Sequence, residues 1–104
     1  MKKSILVAIL SLACGVAGAA EGNAEAAKAK VTMCIGCHGI AGYRATYPQV
    51  FPVPKIGGQQ PAYIAKALQA YKSGERNHPT MRSIALGLSE QDMADVAVYY
   101  GGGK

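Results

Sequence analysis

Cysteine and histidine are scarce in this 104-residue chain, limited to Cys14, Cys34, Cys37, His38 and His78. That scarcity argues against a structural zinc site, which takes about four ligands. Cys14 falls in a segment expected to be removed, so only His78 lies outside the Cys34–His38 cluster to complete one. A disulfide between Cys34 and Cys37 would close a tiny loop and barely stabilise a fold. Long apolar runs are missing too. After residue 20 none approaches the roughly 20 residues a membrane-spanning helix needs. Tryptophan is absent and phenylalanine occurs once, and basic residues are not interleaved with aromatics as nucleic-acid binding would ask. No strand–helix alternation surrounds the cysteines, which sets aside a thioredoxin-like redox pair.

What is present begins with an export signal. Lys2 and Lys3 form a positive start, Ile5 to Leu12 an apolar core, and Ala17-Gly18-Ala19 or Gly18-Ala19-Ala20 a small-residue cleavage site. Residues 1–20 are expected to be a cleavable secretory signal, and residues 21–104 a single domain exported to the periplasm. Ser11-Leu12-Ala13 puts serine where a lipoprotein signal wants leucine, so Cys14 is not expected to carry a lipid. Without Lys2 and Lys3, nine Lys/Arg face six Asp/Glu, a net charge of +3. A domain this small has a marginal hydrophobic core and usually needs a staple such as a metal or cofactor.

Cys34-Ile35-Gly36-Cys37-His38 supplies the staple, because it has the form of a covalent haem attachment site. Two thiols add across the two vinyl groups of a haem, and the adjacent imidazole sits where it can ligate the iron. Residues three apart share a helix face, so Cys34 and Cys37 can meet the edge of one planar ring.

The rest of the chain reads as helices joined by irregular segments. A first helix is expected from about Ala24 into the cysteine motif, capped by Asn23, with Ala24, Ala27 and Val31 on one face. Residues 39–60 carry Gly39, Gly42, Pro48, Pro52, Pro54, Gly57 and Gly58, which break any period. A loop of that length is commonly functional, here to wrap a cofactor. Pro61 opens a second helix with the stripe Ile64, Ala67, Leu68 and Tyr71, stopped at Gly74. A short loop then leads through His78-Pro79-Thr80-Met81. The last helix opens at Ser89, where Ser89-Glu90-Gln91-Asp92 has capping-box spacing, and carries Met93, Val96, Ala97 and Tyr100. No strand is expected, so the class is all-α.

Four motifs recur in order: Cys34-Ile35-Gly36-Cys37-His38, Pro54-Lys55-Ile56-Gly57-Gly58-Gln59, Pro79-Thr80-Met81, and Asp92 to Tyr100. Together they resemble the short bacterial class I cytochromes c, and are most similar to a single half of the tandem dihaem cytochromes c. The resemblance spans nearly all of residues 21–104. It implies three main helices and long loops around one covalently bound haem c, crossing first and last helices, and His and Met axial ligands. His38 would be the proximal ligand, with Cys34 and Cys37 forming the thioethers. For the distal ligand the chain offers Met33, Met81 and Met93. Met33 adjoins the attachment site and Met93 belongs to a core stripe, where Met usually fills gaps. Met81 is therefore favoured; His78 is a rival that would make a bis-His centre, or else a plain surface histidine. Pro54 matches the family's loop proline whose carbonyl supports the proximal histidine, a role Pro52 could also fill. Ile56 matches an apolar position against the haem. Tyr43 to Pro48 is bulkier than the family loop, and Arg44 and Tyr47 are candidates for a propionate or for plain solvation.

The function this implies is periplasmic electron transfer, with no substrate chemistry and no nucleic-acid partner. Partners are expected to be redox proteins such as a respiratory reductase or oxidase, docking transiently at the haem edge. Lys55, Lys66, Lys72, Arg76 and Arg82 could steer an acidic partner or serve only as a solvated surface. The alternatives are a haem-bearing subunit of a larger oxidoreductase, or an open-site protein for peroxide or a small gas.

Overall fold

The computed structural model describes residues 21–45 and 50–101. The expected signal and cleavage site, Cys14 and Tyr47 lie outside the described residues. Five helices appear among them: α1 (Ala24–Ala27), α2 (Thr32–His38), α3 (Pro61–Ser73), α4 (Pro79–Leu86) and α5 (Glu90–Gly101). The all-α class holds, with one small exception. Strands β1 (Arg44–Ala45) and β2 (Phe51–Pro52) pair antiparallel, Arg44 opposite Pro52 and Ala45 opposite Phe51. A two-residue ladder has no room for the alternation by which strands are recognised in sequence.

The expected first helix is two helices. Asn23 caps α1 as anticipated, its Oδ1 accepting from the N–H groups of Glu25 (2.9 Å) and Ala26 (3.2 Å). The backbone then tightens, with the Lys28 and Lys30 N–H groups bonding to the Glu25 and Ala27 carbonyls three residues back. Helix α2 restarts after Val31. Ala27 and Val31 are buried as expected, but Ala24 is exposed.

Helices α3 and α5 form the frame, with α1 lying on α5 and α4 on α3. Their core comprises Ala27, Val31, Ile64, Leu68, Leu88, Met93, Val96 and Ala97. Met93 is almost fully buried, in the gap-filling role read for it. Helix α3 ends where Gly74 adopts φ +90°, a left-handed cap that glycine adopts without strain. Helix α5 opens on a reciprocal capping box. The Asp92 N–H donates to Ser89 Oγ at 3.0 Å and the Ser89 N–H to Asp92 Oδ2 at 2.9 Å. Helix α4 was not anticipated. The segment expected as a loop through His78 to Met81 turns helical at Pro79, the first residue of α4, and Met81 sits in its first turn.

Candidate haem-binding site

Cys34 and Cys37 stand one turn apart on α2, both free and both half-buried. Burial pushes the Cys34 thiol above its usual range. His38 closes the same helix, and its Nδ1 lies 2.6 Å from the Pro54 carbonyl oxygen. A carbonyl only accepts, so at that distance Nδ1 carries the hydrogen, and in the neutral ring Nε2 keeps its lone pair. The imidazole is therefore in the tautomer that a metal needs, and its orientation is fixed.

The loop that bears Pro54 is itself tied down. The Val53 N–H donates to the Tyr43 carbonyl at 2.9 Å, beside the β1–β2 ladder. The Gly58 N–H donates to the Tyr100 carbonyl at 3.0 Å, at the end of α5. Ile56 lies between these anchors, half-buried, and Pro54 and Lys55 are exposed. A cleft of about 310 Å³ opens beside His38, lined by Gly39 to Gly42, Val53 and Lys55. Arg44 is exposed on β1.

Met81 is half-buried against the core in company with Ala65, Tyr99 and Tyr100. His78, its rival as distal ligand, caps α4: its Nδ1 accepts the Met81 N–H at 3.3 Å. Lys72 and Arg76, two of the five cations expected to steer a partner, have structural partners. Lys72 Nζ donates to the Leu88 carbonyl at 2.6 Å, and the Arg76 guanidinium lies 4.6 Å from the Tyr71 ring centre.

Tyr100 did not enter the sequence reading of the site except as a core position. Its hydroxyl is buried and has no hydrogen-bond partner among the described residues. Its ionisation is pushed up to about 12, first by burial and then by the neighbouring Cys34 and Tyr99. A buried hydroxyl without a partner beside Cys34 is a polar group that a molecule attached there could satisfy. With the two free thiols and the braced imidazole, it fits a covalently attached haem. A bare-metal site fits less well, because no three His, Cys, Asp or Glu side chains converge among the described residues.

The cytochrome c family model matches residues 24–100. The chain belongs to the cytochrome c family. It is 36% identical over 83 residues to cytochrome c-554(548) of Halomonas halodenitrificans, covering 76% of this chain and 94% of that one. It is 34% identical over 104 residues to cytochrome c4 of Pseudomonas aeruginosa, covering all of this chain and 50% of that one. Two cytochrome c4 structures share the fold. That from Acidithiobacillus ferrooxidans has a TM-score of 0.64 at 29% identity, over 82% of this chain and 52% of that one. That from Pseudomonas stutzeri has 0.63 at 35% identity, over 80% and 46%. The chain thus spans about half the length of the cytochromes c4 it matches. As a cytochrome c it carries one covalently bound haem c and serves in electron transfer rather than as an enzyme. No helix among the described residues is long and apolar enough to cross a membrane.

Proposed function

We propose that the chain is a periplasmic monohaem carrier that shuttles single electrons between respiratory redox partners, with a low-spin haem ligated by His38 and Met81. The observation that carries this reading is the 2.6 Å contact between His38 Nδ1 and the Pro54 carbonyl. It leaves Nε2 of an oriented, neutral imidazole as the donor to the iron. Cys34 and Cys37 are the thioether positions, and Ile56 packs against the ring. The bound haem supplies reversible one-electron redox chemistry. In this reading Met81, half-buried against the core, offers a thioether sulfur, which favours the ferrous state and raises the potential.

Residues 1–20 are a removable export signal and residues 21–104 the working domain. Lys55 and Lys66, both exposed, present positive charge to an acidic partner. Docking is small and transient, as redox encounters are. The absorption spectrum of the ferric holoprotein tests the ligation. A sulfur-to-iron charge-transfer band that disappears in Met81→Ala supports it. A band that survives in Met81→Ala, or a high-spin resting spectrum in the native protein, overturns it.

A further inference from the structure

We propose that His78 is the positioning residue for Met81, setting the thioether through the first turn of α4. The inference rests on the reading of Met81 as distal ligand. Pro79 occupies the first helical position, where its fixed φ suits the turn and its missing N–H is one that a helix start leaves unbonded. His78 holds that turn twice. Its Nδ1 accepts the Met81 N–H at 3.3 Å, and its carbonyl accepts the Arg82 N–H at 2.9 Å. The first of these bonds fixes the backbone of the very residue whose side chain must reach the iron.

Serine, threonine, aspartate and asparagine are the usual residues at this position, and histidine is an uncommon choice. The imidazole brings something they lack, a ring that can be gripped. Tyr71, near the end of α3, meets it edge-on with centroids 6.5 Å apart and planes at 82°. Arg76 lies over the Tyr71 ring at 4.6 Å. A relay of Arg76, Tyr71 and His78 thereby fastens the start of α4 to the end of α3. The cap acts on Met81 and does not itself occupy the iron.

The test uses holoprotein with covalent haem, in the native form and as His78→Ala, His78→Gln and His78→Asn. The readouts are the ferric sulfur-to-iron charge-transfer band, the reduction potential and the apparent affinity for cyanide, which competes with Met81. Losing the cap in His78→Ala or His78→Gln should raise cyanide affinity roughly five- to tenfold, the scale of a lost N-cap. The band should weaken and the potential fall. His78→Asn, which restores a capping oxygen, should return all three readouts towards native. Should His78→Ala fail to retain haem, the Gln and Asn variants alone decide. Native behaviour in His78→Gln, or His78→Asn as open as His78→Gln, overturns the proposal. So does conversion of the resting iron to high-spin in all three variants, which would make His78 the ligand. Persistence of the band in Met81→Ala is a separate result, and would sink the ligand reading itself.

Discussion

The Asp95 carboxylate accepts the backbone N–H of Asn23 at 2.8 Å, joining the entry of α1 to the middle of α5. Asp95 is buried, and the same oxygen accepts from Gln91 Nε2 at 2.9 Å. Asp95→Ala leaves the Asn23 N–H without that acceptor, at a cost of about 1–3 kcal/mol. Thermal unfolding should register a fall of roughly 4–8 °C per kcal/mol in a domain of this size. Asp95→Asn, which keeps an acceptor oxygen, should lose less. Equal melting of the two variants would remove the hydrogen bond from the explanation.

Pro54 acts on His38 through its carbonyl, and weakening that contact makes the imidazole a poorer electron donor. With the His38 ligation proposed above, the ferric state then loses stabilisation. Pro54→Gly, which loosens the loop, should raise the midpoint potential by up to about 40 mV, the equivalent of one neutral hydrogen bond. Spectroelectrochemical titration measures it. An unchanged or lowered potential would leave the carbonyl without influence on the iron.

Tyr100 should ionise well after an ordinary tyrosine, near pH 12 against 10.0. Between those values the unfolded chain has released this proton while the folded one retains it, so Tyr100 disfavours unfolding below pH 10 and progressively less above it. Ultraviolet titration of the folded protein should show a late phenolic step, absent in Tyr100→Phe. A late step that persists in that variant would assign it to another tyrosine.

Asp92 has its carboxyl held below the ordinary value of 3.8, chiefly by the Ser89 backbone N–H, with help from the Ser89 hydroxyl and Lys30. Its contribution to stability is complete above 3.8 and fades as pH falls through the lower folded value. Asp92→Asn should therefore flatten the loss of stability below pH 4, seen in denaturant midpoints. Ser89→Ala should cost about 1 kcal/mol at neutral pH, the usual loss of an N-cap. An acid transition unaltered in Asp92→Asn would refute the linkage.

Features written in local chemistry were legible. Asn23, Gly74 and the Ser89–Asp92 box each act within a few residues of themselves, and each ends or begins a helix where its side chain or φ requires. The motif at Cys34–His38 was legible for the same reason. Helix α4 was not, because its cap is a histidine and its first residue a proline, a pair that also reads as a turn. Nor was the break between α1 and α2, where alanine-rich sequence suits one continuous helix and tertiary packing decides otherwise. Asp95 and Tyr100 acquire their meaning from partners far along the chain, which no window of neighbouring residues contains. The choice of Pro54 over Pro52 belongs here too: Pro52 is held in the β1–β2 ladder, and the carbonyl facing His38 is that of Pro54.

The segment from Val53 to Gly58 is fastened at both ends, to Tyr43 and to Tyr100. Electron exchange is slowed by every atom that must relocate when the iron changes charge, and a preset dipole spares that cost. A carbonyl clamped on both flanks gives the oxidised and reduced forms one shared frame. With His38 as the proposed ligand, the last turn of α5, far from it in sequence, is expected to help keep the reorganisation energy low.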